Sequence, residues 1–216
     1  MDDRPMVIAH HLIFTVYGTW LPNDPRGSGS INISIDEIEA LGDPHYGRKR
    51  IQPTRKEIQD FQHRAAAVLH YPVKPFDTAM RMSVANAFAT VIERERYTCY
   101  ACAVMPDHVH LVIRKHKDLA ERMVDCVRHE SRTELIRSGA FGQDHPVWSA
   151  SWGWKVFLFH PDEVRRTIRY VEENPLSLRL PIQRWSFVKP YDGWPLHPGH
   201  SPHSPYAKRL RAAGRL

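Results

Sequence analysis

Two histidines separated by one valine, His108 and His110, are the residues of this chain best suited to chemistry. They stand in "MPDHVHLVIRKH", Met105 to His116, which alternates as a β-strand does. Residues two apart on a strand project to the same side. His108 and His110 therefore point together, and Val109, Leu111 and Ile113 point the other way. A pair of neutral imidazoles suits a divalent first-row ion. Two ligands do not hold a metal by themselves, so a third must come from elsewhere. The spacing also fits two polar residues on a wetted sheet face, in a chain with 14 histidines.

A second group lies in "EVRRTIRYVEEN". At helical spacing Val164, Ile168 and Val171 make an apolar stripe, with Tyr170 and Asn174 one turn apart along its edge. A phenol and a carboxamide oxygen so placed can serve as nucleophile and metal ligand. They equally suit a half-buried aromatic and a helix-ending Asn before Pro175. Glu172 and Glu173 point away from Tyr170, so no carboxylate base is evident. Three cysteines, with no export signal, read as reduced thiols in a cytoplasm. Cys99 and Cys102 form a C-x-x-C in a strand. That odd spacing sends them to opposite faces, against a redox or zinc role.

The elements that must position these groups follow from pattern. Met6 to Tyr17 is rich in Val, Ile, Phe and Thr and predicts a strand. "GTWLPNDPRGSGS" is a loop, and residues 31–52 read as an irregular excursion. Thr54 and Glu57 have capping-box spacing and open a helix toward His70. Asp77 caps the next helix, whose stripe is Met80, Val84, Ala87, Phe88, Val91 and Ile92. Tyr97–Met105 and His108–Arg114 form a hairpin about Pro106-Asp107. A helix over residues 118–138 follows, then the strand "WKVFLFH". Asp162 is placed to cap the Tyr170 helix, which ends at Asn174-Pro175. The order predicts an α+β fold: a ferredoxin-like βαββαβ antiparallel sheet with helices on one face, an insertion over about 18–75 and a C-terminal tyrosine-bearing helix. His108 and His110 would lie on the open face. Residues 1–180 form the catalytic unit and 181–216 a basic Pro/His-rich extension. The segment from Trp194 reads as an extended arm, with His197, His200 and His203 as tail residues rather than a metal site.

Composition sets the bounds. A chain of 216 residues, 42% hydrophobic and 25% charged, is long enough for one domain with a real core. It has no apolar run of membrane-spanning length, and its acidic start lacks a signal-peptide pattern. Residues 176–216 hold seven basic side chains against the single acid Asp192, a surplus equal to the net charge of +6. Such an arm fits a polyanion partner, or a solvated tail.

"YACAVMPDHVHLVI" resembles the signature of the HUH tyrosine transposases, the single-strand transposases of bacterial insertion sequences. "IRYVEENPLSLRL" resembles their tyrosine helix. Its Asn-Pro is most similar to the REP-associated tyrosine transposase branch, which acts on short palindromic repeats. The resemblance covers about Met6 to Leu180, excursion excepted. It implies that His108 and His110 are metal ligands and that Tyr170 is the nucleophile. Asn174 would stand as third ligand where some members have Gln. It implies a divalent cofactor, Mg²⁺ or Mn²⁺, and a 5′-phosphotyrosine intermediate. The partner would be single-stranded DNA near a hairpin or palindromic repeat, with no membrane involved. The protein would act in the cytoplasm as a monomer or homodimer, with Tyr170 working in cis or in trans. Lys155, Arg165, Arg166, Arg169, Arg184 and Lys189, with Arg26, are candidates for phosphate contacts, or ordinary charged surface. Trp20, Trp152, Trp154, Trp185 and Trp194 are candidates for stacking unpaired bases, with core packing as the alternative role of each. "GTWLPNDPRGS" looks like a subgroup hallmark.

Three rivals remain. A transposase-derived DNA-binding protein could keep these residues with the chemistry unused. A histidine-triad nucleotide hydrolase needs a third alternate histidine, where this chain has Val112. In a plain metal-binding or structural domain Tyr170 would pack far from the histidines. A short distance from Tyr170 to the histidine pair would favour nucleolysis over a plain metal-binding or structural domain.

Overall fold

Four strands form the centre: β1 (Ala9–Thr15), β2 (Cys99–Val104), β3 (His108–Arg114) and β4 (Trp154–Leu158). They pair antiparallel in the order β2-β3-β1-β4, with β3 and β1 inside. The computed structural model describes residues 6–29, 33, 36–47, 50–151, 153–195 and 205–213. Helices α1 (Arg55–Val68) and α2 (Thr78–Arg94) precede β2, α3 (Ala120–Arg137) links β3 to β4, and α4 (Pro161–Glu173) follows β4. This is the predicted α+β, ferredoxin-like order.

Alternation decides what each face of the sheet carries. Leu12, Phe14 and Val16 join Val109, Leu111 and Ile113 in one buried layer with Val84, Phe88 and Val91 of α2 and Met123, Val124 and Val127 of α3. Each large apolar side chain buried there contributes about 1.5–3 kcal/mol. The opposite face was expected to be open, and it is not. Val164 and Val171 of α4 are wholly buried in a second layer with Ala101, Ala103 and Val112. The small alanines let the helix lie close to the sheet. Helices therefore flank both faces, and α4 lies on the histidine side.

The two cysteines correct a second expectation. Cys99 pairs with Ile113, Ala101 with Val112 and Cys102 with Leu111, so Tyr100 is an extra residue in a β-bulge. The bulge shifts the alternation by one. Cys99 and Cys102 consequently face the same helical layer. Burial pushes the Cys99 thiol up to about 12 and Cys102 well above its usual range. Both stay as packed neutral thiols.

Local signals set the helix starts. Thr54 N–H donates to Glu57 Oε2 at 2.7 Å, and Glu57 N–H donates to Thr54 Oγ1 at 3.3 Å, closing the capping box of α1. Asp77 Oδ1 accepts from Met80 N at 2.8 Å. The excursion is more ordered than its weak periodicity suggests. Ile38, in a 3₁₀ turn over Asp36–Leu41, packs with Leu21, Phe61 and Ala65 as a satellite core. At α4 the cap is His160 rather than Asp162: Pro161 takes the first helical position, and Glu163 accepts from the N–H groups of Phe159 and His160. Asp162 instead pairs with Arg165 at 2.8 Å. Asn174-Pro175 does not stop the chain's turning. It tightens it into a 3₁₀ turn over Asn174–Leu178, because proline offers no N–H for an α bond.

Residues 181–191 run as a strap along the outer edge of β2. The Gln183 amide both donates to Val104 O and accepts from Val104 N, each at 2.8 Å. Trp185 Nε1 donates to Cys102 O, and Lys189 N donates to Cys99 O. The expected extended arm contains a helix, α5 (Pro205–Ala212), bearing Lys208, Arg209 and Arg211. His197, His200 and His203 lie outside the described residues. No helix among the described residues is long and apolar enough to cross a membrane.

Gly153 sets the entry of β4. Its φ is +76°, and a Cβ there would stand 1.8 Å from the Ile13 carbonyl oxygen. Gly153→Ala is expected to cost about 3 kcal/mol, from left-handed strain plus backbone displacement. The melting temperature should fall by about 6–12 °C; an unchanged value would refute the account.

Candidate active site

The cross-strand register gathers a histidine cluster at one end of the second face. On β3 His108 and His110 project toward α4, and on β1 His11, Ile13 and Thr15 share that face. The His108 and His110 ring centroids are 4.8 Å apart, at an interplanar angle of 86°. Val112, the next alternate position, is wholly buried, so no third histidine continues the row.

α4 brings Tyr170 to the pair. Its ring lies 5.5 Å from that of His110, edge to face, and 6.1 Å from that of His11. Tyr170 is 53% exposed, so the phenol is open to a large substrate. Asn174, one turn on, lines the same cleft with Ser177 and Leu178, and across from them stand Trp20 and Trp154. The cleft holds about 370 Å³. Tyr170, Asn174, His108 and His110 thus come together within one chain.

The sequence did not single out His11 or Asp107. His108 Nδ1 lies 2.7 Å from Asp107 Oδ1, and His110 Nδ1 lies 2.9 Å from His11 Nε2. In both rings Nδ1 is taken, which leaves Nε2 for a metal. Burial lowers the basicity of His11 and His110: His11 falls to about 4, and His110 lower still, with the nearby His108 and His11 charges adding to the effect. Burial, the largest single influence, would raise the Asp107 carboxyl, but the His108 hydrogen bond and charge, a backbone hydrogen bond and the Arg26 charge together outweigh it and hold the group below its usual range. His110 is therefore a neutral donor of the kind a metal requires, and His11 a neutral partner beside it. Among the described residues no set of three His, Cys, Asp or Glu side chains could hold an ion. A third protein ligand would be an amide such as Asn174.

The "GTWLPNDPRGS" loop now has a physical role. Thr19 Oγ1 donates to Val16 O at 2.8 Å and Asp107 O at 3.0 Å, clamping the turn before His108. Arg26 donates to both oxygens of buried Asp24 and to Thr19 O. Its guanidinium lies 3.9 Å over Trp20, whose Nε1 donates to Gly27 O. Arg26 is thus committed to the loop, and Trp20 is a fixed wall of the cleft, 6.2 Å from Trp154 in a T-shaped contact.

The other candidates divide by position. Arg166 and Arg169 are exposed on α4 beside Tyr170. Arg165 pairs with Asp162 and lies over Tyr191. Lys155 does not reach the cleft. It alternates to the α2/α3 side of β4, and its ammonium is held by Glu121. Arg184 and Lys189 are exposed on the strap. Trp185 and Trp194 belong to the packing around the strap, with Trp185 stacked on Phe187 and Trp194 under Arg114. Trp152 lies outside the described residues.

Comparison with known proteins gives fold-level likenesses alone. No protein-family model matches the chain, and no curated protein matches it. Among solved structures, it is similar to a REP-associated tyrosine transposase bound to a REP hairpin, at 12% identity and a TM-score of 0.42, over 100% of this chain and 87% of that one. It is also similar to a candidate transposase from Deinococcus radiodurans R1, at 15% identity and a TM-score of 0.37, over 81% of this chain and 95% of that one. At such scores the functional reading rests on the chain's own residues.

Proposed function

We propose that the chain is a metal-dependent enzyme that nicks and rejoins single-stranded DNA near hairpins through Tyr170. The observation carrying this reading is the 5.5 Å approach of the Tyr170 and His110 rings inside one chain, with Asn174 in the same cleft. The phenolic oxygen attacks a backbone phosphorus and forms a 5′-phosphotyrosine bond. The P–O bond to the 3′ oxygen breaks, and that oxygen leaves as a 3′-hydroxyl after taking a proton. Reversal by a 3′-hydroxyl rejoins a strand without an external energy source, because the ester bond is conserved.

Mg²⁺ or Mn²⁺ bound by His108 Nε2, His110 Nε2 and Asn174 would supply Lewis-acid polarisation and charge neutralisation at the scissile phosphate. The chain's own residues do the rest. Tyr170 needs help to lose its proton, since a free phenol has a pKa of about 10. His11, lowered to about 4, is a poor acceptor. The exposure of Tyr170 makes solvent the route for that proton. Trp20 and Trp154 offer aromatic walls for unpaired bases, and Arg166 and Arg169 offer charge to flanking phosphates.

The test incubates protein with labelled single-stranded hairpin DNA and Mn²⁺ or Mg²⁺, and looks for a covalent adduct on a denaturing gel. His108→Ala combined with His110→Ala should reduce the adduct by at least about 100-fold. Adduct formation at the unaltered rate would remove the metal assignment.

A further inference from the structure

We infer that His11 is a positioning residue for the metal, one that accepts a hydrogen bond from His110 Nδ1 and so holds His110 Nε2 ready as a ligand. The inference rests on the reading of His108 and His110 as a divalent-cation site.

The two ring pairs at the site differ in chemistry. Asp107 is a carboxylate and can only accept, so its bond fixes the proton of His108 on Nδ1 and the lone pair on Nε2. The His110–His11 bond has no such built-in direction, because either neutral imidazole can donate. If His11 donates, His110 carries its proton on Nε2 and cannot ligate. If His110 donates from Nδ1, its Nε2 lone pair faces the cleft and His11 keeps its own proton on Nδ1. Metal binding selects the second arrangement. Both histidines would then present the same atom, each through a partner on Nδ1.

The geometry suits a fixed support. His11 and His110 are 6% and 3% exposed, so water does not compete for their bond. Their rings lie nearly parallel, 27° apart, with centroids at 5.1 Å. His11 sits on the inner strand β1, opposite Val112 and diagonal to His110, where the ladder holds the backbone on both sides. Its Nε2 meets His110 on the side opposite the ligating atom. His11 is thereby placed to orient the ring, not to bind the ion.

Metal affinity and ring-proton position test this together. Mn²⁺ alone is titrated by electron paramagnetic resonance into the full-length protein, His11→Phe, His11→Gln and His110→Ala. Losing an outer partner of a ligating histidine typically weakens binding by about 10–100-fold, and His11→Phe should do so. His11→Gln keeps an acceptor oxygen and should recover most of the affinity. In the unaltered protein saturated with Mg²⁺, ¹⁵N spectra should show His110 protonated at Nδ1, a measurement that needs no variant to fold. A proton on His110 Nε2, or unchanged Mn²⁺ affinity in His11→Phe beside a large loss in His110→Ala, would overturn the role of His11 and leave the metal site standing. Spin-echo modulation from three imidazoles instead of two would make His11 a ligand and overturn the inference in the other direction. Absence of Mn²⁺ binding by the unaltered protein would sink the metal reading and this inference with it.

Discussion

Tyr170→Phe is expected to abolish the covalent protein–DNA adduct, by at least about 10³-fold, while leaving the fold intact. Removing the attacking oxygen removes the only step that makes the bond, and losses of this size are usual for a deleted nucleophile. The ring itself would stay. Tyr170 is half exposed and its edge contacts with His11 and His110 need no hydroxyl, so stability should change by less than about 0.5 kcal/mol. Mn²⁺ affinity should be unchanged, because the proposed ligands are His108, His110 and Asn174. The measurement is adduct yield beside a melting curve. An adduct of unaltered yield in Tyr170→Phe would mean that another residue attacks, and the proposed chemistry would be wrong.

The second large effect is acid sensitivity of the metal-free protein. His10 is 2% exposed on the α2/α3 face, packs edge-on against Phe157, and neither of its ring nitrogens has a hydrogen-bond partner within the described structure. Burial lowers it to about 4, helped by Lys115 and opposed by Glu121. His11 falls to about 4 by burial as well. The unfolded chain, with ordinary histidines, takes up protons first as the pH falls below 6.5. The folded state does so near 4. The contribution of His10 and His11 to stability is therefore full above pH 6.5 and falls as the pH drops toward 4, and His110, lowered further still by burial, continues the fall below it. At pH 5 each of the two should cost about 2 kcal/mol. Urea unfolding in EDTA at pH 7.5 and pH 5 measures this. His10→Leu should remove its share, so that the stability lost between pH 7.5 and pH 5 shrinks by about 2 kcal/mol relative to the parent. Equal stability of the parent at both pH values would contradict the burial argument.

Much of the frame was legible in the chain because its signals are local. The alternation of "HVHLVI" set the faces of β3, and Thr54, Glu57 and Asp77 marked the helix starts within a residue. The pairing of Tyr170 with Asn174 followed from helical spacing alone, and the structure carries both to the histidines. What escaped depended on register across strands. His11 sits beside His10 in "HHL", and nothing local says which of the two faces His110; the β1–β3 pairing decides it. The bulge at Tyr100 reversed the facing of one cysteine, since a single extra residue shifts a period-2 pattern. Lys155 was near Tyr170 in sequence yet stands on the far side of the sheet, as alternation along β4 requires. Asp162 lost the cap to His160 because Pro161 fits the first helical position. α4 covered a face expected to be open because Ala101 and Ala103 leave room for it.

The strap over residues 181–191 has a bearing on how this chain can be shortened. Its Gln183, Trp185 and Lys189 occupy the backbone groups of β2 that would otherwise look outward. A truncation after Leu180, where the basic extension begins, would keep every residue of the cleft and still strip a guard from the rim of the sheet. Bare strand rims recruit other strands. The tidy-looking cut would trade a guarded edge for an adhesive one, and the safer place to trim lies beyond Tyr191.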